Sequence, residues 1–149
     1  MGKTAGQMKI HLPYFFVKYF ENYPIIKVVK YIRMKGPKME KKLLDLETAL
    51  ERLGGDKEFL IELLQELLQQ VEEELPKLKK AIEEQNYDEV RSMAHGLKGA
   101  AANLGADKAM EVFFKLEMMG KEQNLDGASE ALEEAQRLNA ELKLHLPTI

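Results

Sequence analysis

This sequence of 149 residues predicts an all-α fold, an antiparallel four-helix bundle with an additional N-terminal helical extension. Three observations carry that expectation. From Leu43 onward the apolar residues recur at steps of three and four, no run alternates as a strand does, and Gly, Asp, Asn and Pro punctuate the chain at helix-length intervals. The length suits one ordinary domain with its own core. Cysteine is absent, so neither disulfides nor thiolate metal sites carry the fold, a usage compatible with a reducing compartment.

The helices follow in order. Asp45 can cap a short one using Leu46, Ala49, Leu50 and Leu53, which Gly54-Gly55 ends. Asp56 can cap a long one whose stripe runs through Phe59, Leu60, Leu63, Leu64, Leu67, Leu68, Val71, Leu75, Leu78 and Ile82. Pro76 lies inside it and is expected to kink it, because proline removes an N–H and crowds the carbonyl of Glu72. A third helix spans about Tyr87 to Leu104, with Asn86 or Asp88 near its cap and Gly105 as its stop. A fourth, from about Ala106 to Gln123, places Ala109, Phe113, Leu116 and Met119 on one side. Asp126 is expected to cap a fifth through Leu132, Ala135, Leu138, Leu142 and Leu146, with Pro147 closing the chain. Four long amphipathic segments joined by short links pack most simply as a bundle, with the first short helix covering one end.

Residues 1–42 are composed differently. They hold ten Lys and Arg against two Glu, a net charge of +8, whereas the remainder holds twelve basic against 23 acidic residues, a net charge of −11. They also carry seven of the eleven Tyr and Phe. The boundary falls near Pro37–Lys42, dividing a basic, aromatic extension (1–42) from the bundle (43–149). Pro24 breaks the extension, and Ile25–Met34 repeats two apolar residues and one basic residue, as an amphipathic helix would. Its Ile and Val content leaves a strand open. So many rings must cover something: the bundle's flank or a second copy is preferred, giving self-association, over an anionic membrane, and no nucleic-acid role is expected. Lys18, Glu21, Lys27 and Lys30 interrupt the most apolar stretch before it reaches membrane-spanning length. With no signal peptide or myristoylation pattern evident at Met1–Gly6, a cytoplasmic protein is expected.

The third helix carries the chemistry. With Val90, Met93, Ala94, Leu97, Ala101 and Leu104 turned inward, His95 faces solvent almost opposite Leu97. Arg91, Ser92, Gly99 and Ala102 share that outer face, and Lys98 lies at its flank. Glycine in a helix interior costs about 1 kcal/mol relative to alanine, so Gly99 suggests that something must approach closely beside His95. A lone exposed histidine is ordinarily a solvated surface residue; the small neighbours and the nearby lysine set this one apart. A neutral imidazole is a competent nucleophile, and Lys98 offers positive charge near any anion it would carry.

The run Met93-Ala94-His95-Gly96-Leu97-Lys98-Gly99-Ala100-Ala101-Ala102-Asn103-Leu104-Gly105-Ala106 closely resembles the active helix of histidine phosphotransfer (HPt) domains, whose signature is His-x-x-Lys-Gly followed by small residues and an apolar-Gly step. Leu44-Asp45-Leu46-Glu47 and Leu53-Gly54-Gly55-Asp56 look like that family's opening, so the resemblance covers roughly Leu43 to Leu146. It implies a phosphocarrier of a two-component phosphorelay. His95 would accept the phosphoryl group, Lys98 would steady it, and Gly99 would admit the partner. The implied partners are a sensor histidine kinase and response-regulator receiver domains, whose aspartate exchanges the group. The receiver would supply Mg²⁺, so no cofactor is expected in the carrier. The alternative is a helical interaction module that binds partners without phosphoryl transfer.

Other residues take plainer roles. Asn103 and Gly105 suit helix-end chemistry, and His145 suits the final turn of a helix as a cation. His11, before Pro13 in the extension, belongs to no motif. Gln69 and Gln70 are candidates to orient His95. No histidine pair or acidic cluster has metal-ligand spacing, and neither a Gly-rich nucleotide loop nor a paired acid and base is visible. An enzyme acting alone, with its own ATP site, is therefore not expected.

Overall fold

A computed structural model describes residues 41–149. The expectations for the extension, including its helical character and whatever it covers, lie outside the described residues, as does His11. Among the described residues five α-helices occur, α1 Leu46–Arg52, α2 Lys57–Glu83, α3 Tyr87–Asn103, α4 Asp107–Lys121 and α5 Ala128–His145, followed by a 3₁₀ turn at Leu146–Thr148. The short connections make successive helices antiparallel neighbours. The α3–α4 pair is the most extensive contact, and α2 with α3, α4 with α5, and α5 with α2 close the ring of a four-helix bundle.

Local chemistry sets most boundaries. The Asp45 carboxylate accepts from the Thr48 N–H and hydroxyl at 3.4 and 2.9 Å, and Asp56 accepts from the Phe59 N–H at 3.0 Å. Thr48 also holds the Asp45 carboxyl below the usual carboxylate range, against some burial and with help from Lys42. The start of α5 departs from expectation. Gly127, at φ +86°, is the residue before the helix and makes no side-chain cap. The Asp126 N–H instead donates to Asn124 Oδ1 at 3.0 Å, because a local Asn turn competes successfully with a capping geometry.

The core lies where the four stripes meet, with Leu60, Leu64, Leu78, Val90, Leu97, Phe113, Leu116 and Leu138 fully buried. Helix α2 runs through Pro76 as one element, as expected, with Val71 and Leu78 buried on either side while Pro76 itself is exposed. One expectation about α2 changes: Phe59, expected on the stripe, is 45% exposed.

Helix α1 covers the end of the bundle where α3 turns into α4. The Asp45 N–H donates to the Gly105 carbonyl at 2.8 Å, and the Lys108 N–H donates to the Lys42 carbonyl at 3.1 Å. Arg52 donates to the carbonyls of Ala102 and Asn103 at 2.8 and 3.3 Å, giving the C-terminus of α3 the positive charge that its own last turn lacks. Gly105 is required twice over. Its φ is +71°, and a Cβ there would meet the Asp45 carbonyl oxygen at 2.8 Å.

Candidate functional site

The site grows out of α3. Asn86 caps it by accepting from the Glu89 N–H at 3.3 Å, and its amide donates to the Glu89 carboxylate at 2.8 Å, a reciprocal arrangement that fixes the helix start. Val90, Ala94, Leu97 and Ala101 are buried, so the stripe read from the sequence holds, with Met93 only half-buried at its edge. That phase turns the opposite face outward. The His95 side chain is 68% exposed, Arg91 and Ser92 are exposed, and a Cβ added at Gly96 or Gly99 would meet nothing within 4 Å.

The residue that organises this face comes from α4. Glu117 is only 7% exposed, yet one carboxylate oxygen receives His95 Nδ1 at 2.7 Å and the other faces Lys98 Nζ at 2.6 Å. The Lys98 contact is an ion pair rather than an aligned hydrogen bond, leaving Oε2 without a conventional donor. The Lys98 ammonium also lies 5.4 Å from the centroid of the Phe114 ring, a second attraction for the cation. Burial by itself pushes the Glu117 carboxyl up, but Lys98 and then His95 outweigh it and hold it below the usual carboxylate range. Glu117 is therefore ionised near neutrality.

An ionised carboxylate can only accept. Nδ1 of His95 must carry the proton it shares with Glu117, which leaves Nε2 of a neutral ring as the unprotonated nitrogen with an available lone pair. The carboxylate also stabilises positive charge arising on the ring when Nε2 bonds to an electrophile, the role an orienting acid plays beside a catalytic imidazole. Three elements of chemistry are thus assembled: a fixed tautomer, an exposed nucleophilic nitrogen and a buried counter-charge.

His95, Lys98 and Gly99 lie together on α3, as their spacing requires. Gln69 is elsewhere, its amide donating to Glu73 at 2.9 Å, so Glu117 is the group that orients the imidazole. The buried residues of α4 are Met110, Val112, Phe113, Leu116, Glu117, Met118 and Gly120, and Ala109 and Met119, also expected on the core side, pack against the core while half-buried. The inward side of α4 is therefore as expected, and Glu117 escaped notice because its charge argues for solvent. The signal was a lone carboxylate in the apolar run Val112–Met119, at helical spacing from Met110 and Phe113. Lys, Glu and Asp are almost never so buried unless paired.

Gly120, one turn beyond Glu117, went equally unremarked. A Cβ there would lie 2.7 Å from the Tyr87 carbonyl oxygen, 2.8 Å from the Arg91 nitrogen and 3.0 Å from the Arg91 Cβ. The glycine lets α4 approach the backbone of α3 closely enough for the short Glu117 side chain to reach His95. Among the described residues, no group of three or more His, Asp or Glu could hold a metal ion, and no helix is long and apolar enough to cross a membrane.

Comparisons with known proteins agree with this architecture. No solved structure matches the chain. The phosphorelay intermediate protein rdeA of Dictyostelium discoideum is 31% identical over 94 residues, which are 63% of this chain and 37% of that protein. The match thus spans little more than a third of that relative's length. The Hpt domain family matches residues 62–146, more than half of the sequence and the whole of α3 and α4. This chain belongs to the Hpt domain family.

Proposed function

We propose that the protein is a phosphocarrier of a two-component phosphorelay, taking a phosphoryl group on Nε2 of His95 and exchanging it with an aspartate of a response-regulator receiver domain. The observation that carries this is the Glu117–His95 contact, which engages Nδ1 and leaves Nε2 as the other ring nitrogen on an otherwise unobstructed helix face. In the forward step Nε2 attacks phosphorus, a P–N bond forms as the P–O bond to the receiver's aspartate breaks, and the carboxylate departs with the bonding pair. Positive charge left on the imidazole is offset by Glu117. Lys98 steadies the site chiefly by holding Glu117 in place, its own charge being balanced by that carboxylate.

Such transfer depends mainly on positioning and electrostatics, so a receiver could supply the Mg²⁺ and the carrier would need no cofactor or ATP site of its own. A sensor histidine kinase stands upstream in such a relay, and its cytoplasmic reactions place the carrier in the cytoplasm. The name of the rdeA relative, a phosphorelay intermediate, is in keeping with this role. The deciding experiment is incubation with phosphorylated receiver domains. Wild-type protein should acquire an acid-labile, base-stable label, and His95→Gln should acquire none. A His95→Gln protein labelled at the normal rate would overturn the assignment to His95, and a wild-type protein that takes no label would leave the bundle as a binding module.

A further inference from the structure

Two cations flank His95 on α3, and they differ in what already holds them. Lys98 is committed to Glu117 and to the face of Phe114. Arg91, one turn toward the N-terminus, is exposed, and with Asp88, Ser92, His95 and Glu117 it lines an open depression of about 380 Å³. Its guanidinium makes no ion pair, hydrogen bond or ring contact among the described residues, even though Asp88 shares its rim.

The helix geometry brings Arg91 toward the outer nitrogen of the ring. Side chains on an α-helix lean toward its N-terminus, so the imidazole of His95 lies over the turn that carries Arg91 and Ser92. Its Nδ1 is held by Glu117, and Nε2 is on the far side of the ring. The charges then decide what a phosphoryl group on Nε2 would meet. Lys98 and Glu117 cancel, and Asp88 contributes a negative charge, so Arg91 supplies the remaining positive one. A guanidinium also offers a planar fork of donors that matches two phosphoryl oxygens. Its stem is anchored, because Gly120 brings α4 against the Arg91 nitrogen and Cβ, while the head stays in solvent.

Resting on the phosphocarrier assignment, we propose that Arg91, assisted by the Ser92 hydroxyl, is the group of this chain that contacts the phosphoryl oxygens on His95. Lys98 then acts chiefly through Glu117, and Arg91 sets how strongly the phosphorylated form is held.

The test uses phosphoramidate to phosphorylate the full-length chain directly, with ³¹P NMR following the phosphoryl resonance as pH is varied. A contacting cation favours the dianion, so Arg91→Gln should raise the titration midpoint by roughly 0.2–0.7 pH units, the range for an exposed charge pair. Arg91→Lys, which keeps the charge, should shift it by less than half as much. The difference between wild type and Arg91→Gln should narrow at high salt. Arg91→Gln preserves the backbone and Cβ that pack on Gly120, so the fold is retained. Equal midpoints in wild type and Arg91→Gln, with both labelled on His95, would overturn the Arg91 contact and leave the carrier assignment standing. Failure of wild-type His95 to take label would overturn both.

Discussion

Gly99 on α3 and Gly120 on α4 each stand one helical turn beyond a residue of the site, His95 and Glu117 respectively, and their surroundings are opposite. An added Cβ at Gly99 enters open space, whereas at Gly120 it would strike the backbone of α3 at 2.7–2.8 Å. The same missing side chain therefore leaves open space in one place and is filled by the neighbouring helix in the other. A glycine inside a helix signals close approach; which body approaches is decided by the fold.

The sharpest way to break this contrast is to fill the seam. Gly120→Leu should destabilise the bundle by about 3 kcal/mol or more, at the upper end of overpacking costs, because rigid backbone rather than a flexible side chain stands in the way. The gain in helix propensity, about 1 kcal/mol, is too small to compensate. Urea unfolding measures this, and an unchanged midpoint would show that α3 and α4 can separate freely.

The open flank should behave in the reverse manner. Gly99→Leu is expected to leave stability unchanged or raise it by up to about 1 kcal/mol. Phosphoryl exchange with a receiver should fall on the order of 10²-fold, as misplacement of reacting groups does. Normal exchange would remove Gly99 from the docking account, and an unfolded variant would mean that it packs inward.

Glu117 links the two regions, since the seam delivers it to the open face. Glu117→Gln should slow phosphoryl exchange by roughly tenfold, the low end for an orienting carboxylate, because the amide oxygen still accepts from Nδ1 but lacks the charge. The effect also has a pH signature. Glu117 titrates below its ordinary value when folded, so its ionised form adds stability above the unfolded pKa, about 4.3, and that stability is lost as pH falls through the lower folded value. The stability of wild type should therefore decline in that acid range more steeply than that of Glu117→Gln. Parallel acid limbs would show that the carboxylate is not selectively held.

The smallest effect is expected from removing residues 1–40. We propose that the bundle closes without them, so the truncated chain should keep the melting temperature of the full one within a few degrees and show the same contrast between Gly99 and Gly120. The cut should spare Lys41 and Lys42, since Lys41 pairs with Glu111 at 2.7 Å and the Lys42 carbonyl accepts from Lys108. A truncated chain that fails to fold would place the extension in the core.

Much of this was legible before any coordinates. The helix class, the cap residues Asp45, Asp56 and Asn86, and the outward face of α3 with His95, Lys98 and Gly99 all follow from periodicity and from hydrogen bonds spanning three residues. The same local logic failed where neighbouring signals competed. Asn124 displaced Asp126 at the start of α5, and in α4 the charge of Glu117 argued for solvent although it stands four residues beyond the buried Phe113.

What the sequence by itself determined, then, is which segments are helical and which way α3 faces, because amphipathic spacing and capping act over a few residues. Only the tertiary structure decided that Glu117, 22 residues from His95, fixes the tautomer of the imidazole. It likewise decided that Arg52, 50 residues from Ala102, completes the end of α3, and that the space at Gly120 is taken while that at Gly99 is free. These depend on how closely one helix lies against another, and that separation is set by the packing of the whole core rather than by any local run of residues.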